Sequence, residues 1–219
     1  QMQIIKNKKI TLYFDSGEPP VHYLSKDYQS GPLSFEYFNE TDKIITNCGY
    51  GRKISKKTQF ISKFTSAQST LCLNNTSVVK FKKNNLINKA YGATINNSFK
   101  IFDISRNEDK ENITISATHN AYLKKFGYLH RRTIKFYKKD SNITGSDYLL
   151  KKNQNEVNVD FSIRFHIYPG INATQTMSRK SILLQIDKKR SWIFFCNNKD
   201  VQIEKSLFLG GNKILNNQC

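Results

Sequence analysis

Short runs of alternating apolar and polar residues, broken by Gly, Asn or Pro, most constrain what this chain can fold into. No stretch beyond about ten residues keeps a 3.6-residue apolar period with helix caps. Leu33, Phe35 and Tyr37 instead recur with period two, which places them on one face of a strand. Runs of this kind with turns roughly every 8–12 residues predict an all-β fold. The expected architecture is an antiparallel β-sandwich of two packed sheets with little helix.

The densest block of such runs lies in residues 29–79. Two isoleucines lead into a turn at Asn47-Cys48-Gly49, and Leu71 and Leu73 share a face before the next Asn-rich break. We expect a bent, half-buried sheet edge here, with loops that gather polar groups.

The order of motifs in this block resembles the C-terminal domain of the heparinase II/III family of polysaccharide lyases. In many members of that family a His, an Asp and a second His from three loops hold a zinc ion. The matching positions in this sequence are Gln29, Asn47 and Gln68. Neutral amides lack the imidazole lone pair and the carboxylate charge that zinc sites use. The resemblance therefore implies the family's fold, while the residues predict no metal and no other cofactor.

The resemblance extends over nearly the whole chain, so residues 1–219 are predicted to form one such domain. Neither end looks like a natural terminus, and we expect a fragment from which the family's N-terminal α/α-toroid domain is absent. The length suffices for a core without disulfide staples. For Cys48 and Cys72, two buried free thiols are favoured over a bridge, which stays open.

The formal net charge of +18, from 35 Lys+Arg against 17 Asp+Glu, has two interpretations. One is an acidic partner, either a polyanionic polysaccharide or a nucleic acid. The other is codon bias toward Lys and Asn, which would spread charge over all surfaces. The sequence has no helix-turn-helix, RNP or zinc-finger pattern, so we expect no nucleic acid partner. No apolar run approaches about 18 residues, so we expect no membrane span.

A second dense block covers residues 112–137, and from His119 onward it resembles the family's His-x-x-Tyr, Gly, His-Arg sequence. On a strand, His130 and Arg132 point to one side and Arg131 to the other. The planar guanidinium binds carboxylates through two parallel hydrogen bonds, so both arginines are candidate substrate-binding residues. An alternative stays open, in which an arginine supports a loop carbonyl or a buried Asp.

Two further segments complete the predicted site. Residues 140–147 are predicted to form a Gly-containing loop, as in the family. Residues 161–169 read as one strand whose polar face carries Arg164 and His166, which join the candidate substrate-binding set. That polar face would either line a groove or form a hydrogen-bonded outer surface.

The family resemblance implies a β-elimination reaction on uronic-acid polymers such as glycosaminoglycans or alginate. A base removes the proton beside the carboxyl, and an acid protonates the leaving oxygen. The family's main acid and base lie in the toroid domain, while the β-domain supplies one wall of the cleft and sometimes a Tyr. Tyr50, His119 and His130 are the catalytic candidates in this chain, which alone is expected to be inactive.

The implied partners are an acidic polysaccharide and the helical toroid domain of the same protein, in the periplasm or cytoplasm of a bacterium. The alternative function is a non-catalytic polyanion-binding or structural β-sandwich module. Loss of all three metal-type side chains favours that alternative.

Overall fold

The computed structural model describes residues 1–40, 42–82, 92–140, 142–152, 158–197 and 199–219. The first eight strands are β1 Met2–Lys6, β2 Ile10–Asp15, β3 Phe35–Asn39, β4 Asp42–Thr46, β5 Leu71–Leu73, β6 Ile101–Glu108, β7 Asn112–His119 and β8 Tyr128–Tyr137. The other eight strands are β9 Asn142–Lys151, β10 Phe161–Ile163, β11 His166–Ile167, β12 Asn172–Gln175, β13 Ser181–Gln185, β14 Ser191–Phe195, β15 Lys205–Phe208 and β16 Leu215–Gln218. The α-helices among the described residues are α1 Lys56–Ile61 and α2 Leu123–Phe126, and 3-10 turns cover His22–Asp27, Gly51–Lys53 and Thr65–Ala67.

Every strand pairing in the described part of the chain is antiparallel, which confirms the all-β fold with little helix. The strands divide into five hydrogen-bonded sheets there, where the sequence predicts two. Their orders are β1-β2-β3-β4-β11, β6-β7-β8-β9, β12-β13-β14, β10-β5 and β15-β16.

Alternation along the strands builds one core from several sheets. In β2, Ile10, Leu12 and Phe14 are buried and face the cluster that also receives Ile134 and Phe136 from β8. Burying side chains of this size typically stabilises a fold by about 1.5–3 kcal/mol each. Within the described residues, no helix is long and apolar enough to cross a membrane.

Two local predictions are wrong. The predicted single strand over residues 161–169 is two strands, because β10 pairs with β5 while β11 pairs with β4. The change of sheet breaks the alternation, so Phe161 is 49% exposed and His166 is buried. The predicted loop at 140–147 is also mostly strand from Asn142 onward, in β9; Ser141 lies outside the described residues.

Candidate functional site

Three amide side chains occupy the positions that match the family's zinc ligands, and two of them donate to one carbonyl oxygen. Gln29 Nε2 donates to Ser62 O at 3.0 Å and to Gly49 O at 2.8 Å. Gln68 Nε2 donates to the same Ser62 O at 2.8 Å, and Gln68 is buried. The groups aimed at the shared point are therefore N–H donors, which would repel a cation.

The third amide ties down the adjoining loop. Asn47 Oδ1 accepts from the backbone N–H of Ser69 at 2.8 Å, and its own N–H donates to Glu36 Oε1 at 3.1 Å. No group of three or more His, Cys, Asp or Glu in the described ranges could hold a metal ion. The donor set at these three positions does not fit zinc, since it offers no imidazole and no carboxylate.

A buried polar network links two of the catalytic candidates to a carboxylate. His119 Nε2 and His130 Nδ1 are 3.0 Å apart, and His130 Nε2 lies 2.6 Å from Asp147 Oδ1. Strands β7, β8 and β9 run side by side, which pairs His119 with His130 and Arg132 with Asp147 in the register. Both histidines are 0% exposed.

The hydrogen-bond partners fix where the protons of this network sit. The backbone N–H of Ala121 donates to His119 Nδ1 at 3.2 Å, so the proton of His119 is on Nε2 and donates to His130. His130 then accepts at Nδ1 and donates from Nε2 to Asp147. Burial lowers the pKa of both imidazoles, which are neutral. Each ring nitrogen of the pair is occupied inside the protein.

Arg132 completes the network from the same side of β8. Its Nε and one terminal nitrogen donate to the two oxygens of Asp147 at 2.7 and 2.9 Å. The other terminal nitrogen donates to Leu33 O and Ser69 O, both at 2.9 Å. Burial alone would raise the pKa of Asp147, but the guanidinium and the His130 N–H hold it well below its ordinary value. Arg132, only 2% exposed, therefore supports loop carbonyls and a buried Asp, as the alternative in the sequence analysis had it.

Sequence reasoning missed Asp147, the centre of this network. The sequence predicts a loop over residues 140–147, whereas Asp147 lies in β9 directly opposite Arg132. The available signal was the spacing of Ile143, Gly145 and Asp147 on one side of a strand.

His166, a substrate-binding candidate, is also buried and fully hydrogen-bonded. Its Nε2–H donates to Ser66 O at 3.1 Å, and its Nδ1 accepts from Ser206 Oγ at 3.1 Å. Burial lowers the pKa of His166 to about 4, so the ring is neutral near pH 7. In this arrangement the ring has no nitrogen left for a substrate.

The remaining arginine candidates lie apart. Arg131 is half-buried on the other face of β8 and donates to Ser116 Oγ at 3.4 Å. Arg164 follows β10, donates to Ser162 Oγ at 2.6 Å and lies 3.9 Å from a Glu204 oxygen. No contact among the described residues joins Arg131 to Arg164, and neither belongs to the buried histidine network.

Tyr50 is the catalytic candidate that reaches the surface. Its hydroxyl donates to Asp27 Oδ1 at 2.7 Å and accepts from Gln59 Nε2 at 2.6 Å. Gln59 is fixed by α1, which begins at the Ser55 capping box with Thr58. Partial burial, with the Asp27 hydrogen bond, raises the pKa of Tyr50 to about 12. At neutral pH the group is a phenol, which suits a proton donor and not a base.

Comparison with known proteins agrees with this fold. Residues 2–219 match the family model described as "Heparinase II/III-like, C-terminal". A crystal structure of a mutant of the heparan sulfate lyase HepC from Pedobacter heparinus superposes with a TM-score of 0.71 at 13% identity. That alignment covers 95% of this chain and 29% of the lyase.

A curated relative is FtsZ-localized protein C of Caulobacter vibrioides, which is 23% identical over 204 residues. That match covers 90% of this chain and 35% of the relative. The chain thus spans about a third of the length of the proteins it resembles.

Proposed function

From the premise that this chain belongs to the heparinase II/III-like, C-terminal family, we propose that it is the β-sandwich domain of a larger protein that handles uronate-bearing polysaccharide. Its partner domain in that protein is a helical toroid. Within the assembly, the β-domain binds and positions the acidic polymer and leaves the proton transfers to other groups.

The observation that carries this proposal is the state of the buried imidazoles. His119, His130 and His166 are 0–3% exposed, and every ring nitrogen has a partner inside the protein. A general base must come within hydrogen-bond distance of the proton it removes. These three rings offer no such nitrogen at the surface, and Arg132 offers no exposed guanidinium.

The role that remains is electrostatic. A net charge of +18 attracts any polyanion and raises its association rate. Arg131 and Arg164 are partly exposed and keep their place as candidate contacts to carboxylates.

A second candidate function is a direct contribution to β-elimination through Tyr50. Its half-buried hydroxyl is protonated and oriented by Asp27 and Gln59. Placed in a cleft against the toroid domain, it would donate its proton to the leaving oxygen of the cleaved bond.

The test uses the full-length protein with heparin, heparan sulfate and alginate. Binding is measured by calorimetry, and elimination by the ultraviolet absorbance of the unsaturated uronate product. We expect binding that weakens with salt, and we expect Tyr50→Phe to behave as the matched control Tyr23→Phe, whose ring is 76% exposed. A selective loss of kcat in Tyr50→Phe at unchanged KM would establish the second function. Failure to bind any acidic polymer at low salt would contradict the first.

A further inference from the structure

The positive charge of this chain is concentrated in one segment. Residues 43–102 contain eleven Lys and Arg and no Asp or Glu, so this segment carries eleven of the eighteen net charges in 60 of 219 residues. A codon bias that favours Lys does not by itself exclude carboxylates from sixty consecutive positions. Within this segment no neighbour along the chain offsets the positive charge, which favours attraction of an anion.

Several of these cations have no carboxylate partner in the part of the chain that the structure describes. Lys43, Arg52 and Lys100 form ion pairs with carboxylates from outside the segment. The exposed residues without an ion pair to any described residue are Lys53, Lys56, Lys57 and Lys80. Their charges are available to a ligand.

An open cleft of about 880 Å³ lies within this segment. Its floor consists of Phe60, Phe64 and Phe81, whose ring centroids are 5.0 to 6.1 Å apart in edge-to-face contacts. Its rim includes Lys80 and Lys82. The volume is in the usual range for small-ligand sites, about 300–1,000 Å³.

Further polar and cationic groups surround the same floor. Thr76 and Asn96 line the cleft, and Lys125 of α2 donates to Thr76 Oγ1 at 3.1 Å from outside the segment. Lys56 precedes Phe60 by one helical turn, so the two side chains lie on one face of α1. The cleft thus combines apolar rings, hydroxyl and amide groups, and lysine ammonium groups.

We propose that this phenylalanine-floored cleft is the subsite that binds the anionic sugar units of the polymer. The proposal rests on the proposed function, and it makes this cleft the main contact, with Arg131 and Arg164 as secondary candidates. The apolar rings pack against the C–H face of a sugar, and Thr76 and Asn96 hydrogen-bond its hydroxyls. The ammonium groups of Lys80 and Lys125 neutralise its carboxylate or sulfate as mobile point charges.

The lining favours a saccharide over a nucleic acid. Single-stranded nucleic acids are held by bases stacked on exposed ring faces, often with arginine. No arginine among the described residues lines this cleft.

The experiment measures Kd and its salt dependence for the full-length protein. The probes are a heparin oligosaccharide, its desulfated form, an alginate oligosaccharide and a single-stranded DNA of equal charge. The test variant is Lys80→Gln with Lys125→Gln. The control is Lys188→Gln with Lys189→Gln, which removes the same charge from an exposed turn between β13 and β14.

We expect the test variant to raise Kd for oligosaccharide about tenfold, with a shallower salt dependence, and the control to change it much less. Phe60→Leu, which keeps an apolar side chain, should weaken oligosaccharide binding about fivefold. Binding of the desulfated and alginate probes would identify the carboxylate as the recognised group, and binding of heparin alone would identify the sulfate.

Three results separate the possible failures. If wild-type protein binds none of the sugars, the proposed function itself fails. If it binds them and the two double variants weaken binding equally, the polymer is held elsewhere and the cleft assignment is overturned. If the protein binds DNA more tightly than every oligosaccharide, and if that binding depends on Lys80 and Lys125, the assignment of the cleft to a saccharide is overturned in favour of a nucleic acid.

Discussion

Gln29 and Gln68 donate their side-chain amides to the same acceptor, the carbonyl oxygen of Ser62, over 3.0 and 2.8 Å. A carbonyl has two lone pairs, so both donors are accommodated. The resemblance to zinc-binding lyases places these two residues where a metal would join separate loops. Here neutral hydrogen bonds join the loops, and the geometry requires no ion.

The first prediction concerns metal content. We expect purified protein to contain no structural zinc and its melting temperature to be unchanged by a chelator, because the three amides satisfy one another's loops. Elemental analysis and thermal unfolding with and without chelator measure this. About one zinc per chain, lost together with folding on chelation as in structural sites, would show the prediction to be wrong.

The second prediction concerns the buried ion pair. Asp147→Asn leaves the Arg132 charge buried without a compensating anion, so we expect the free energy of unfolding to fall by about 3–5 kcal/mol. Urea titration measures it. The matched control is Asp187→Asn, which breaks the exposed pair with Arg190 and should cost much less. Similar losses in both variants would mean that burial does not govern the pair.

The third prediction concerns pH. The folded pKa of His166, about 4, is below its ordinary 6.5, so the unfolded chain takes up a proton first as pH falls. The contribution to stability is therefore complete above pH 6.5 and is lost between pH 6.5 and 4, by about 3 kcal/mol for this residue. The pKa values of His119 and His130 are also lowered, so these residues likewise reduce the free energy of unfolding as the pH falls. The pKa of Asp147 is also lowered from its ordinary 3.8. The stabilisation that its charged form provides is therefore lost only as the pH falls below about 3.8.

Urea titrations between pH 7 and pH 4 measure this loss. His166→Gln should flatten the slope over that interval, because the titrating group is removed. An unfolding free energy that stays constant from pH 7 to pH 4 would contradict the neutral, buried state of the three rings.

The fourth prediction concerns the support of Tyr50. A Cβ added at Gly51 would lie 2.7 Å from the Thr58 carbonyl carbon, so Gly51→Ala must displace the first turn of α1. We expect a loss of about 1–3 kcal/mol, as for overpacked interiors, and a weaker Tyr50–Gln59 contact. Gly145→Ala is the control, since its Cβ would meet nothing within 4 Å. Thermal unfolding compares them, and equal stability would rule out the close approach at Gly51.

The sequence by itself determined the local features of this protein. A period of two places His130 and Arg132 on one side of β8 and Arg131 on the other, as the structure confirms. The residue types at 29, 47 and 68 decided that no imidazole or carboxylate stands there. Such properties follow from strand geometry and side-chain chemistry, which neighbours along the chain suffice to define.

Only the tertiary structure decided which face became interior. Arg132 is buried because Asp147, fifteen residues along the chain, comes to lie opposite it in β9, and because two loops place the Leu33 and Ser69 carbonyls at its other nitrogen. Likewise, the sheet change near Arg164 turns His166 inward against Ser66 and Ser206. The alternation of a strand says which residues share a side, but burial depends on what packs against that side. That is a property of distant segments, and no local pattern contains it.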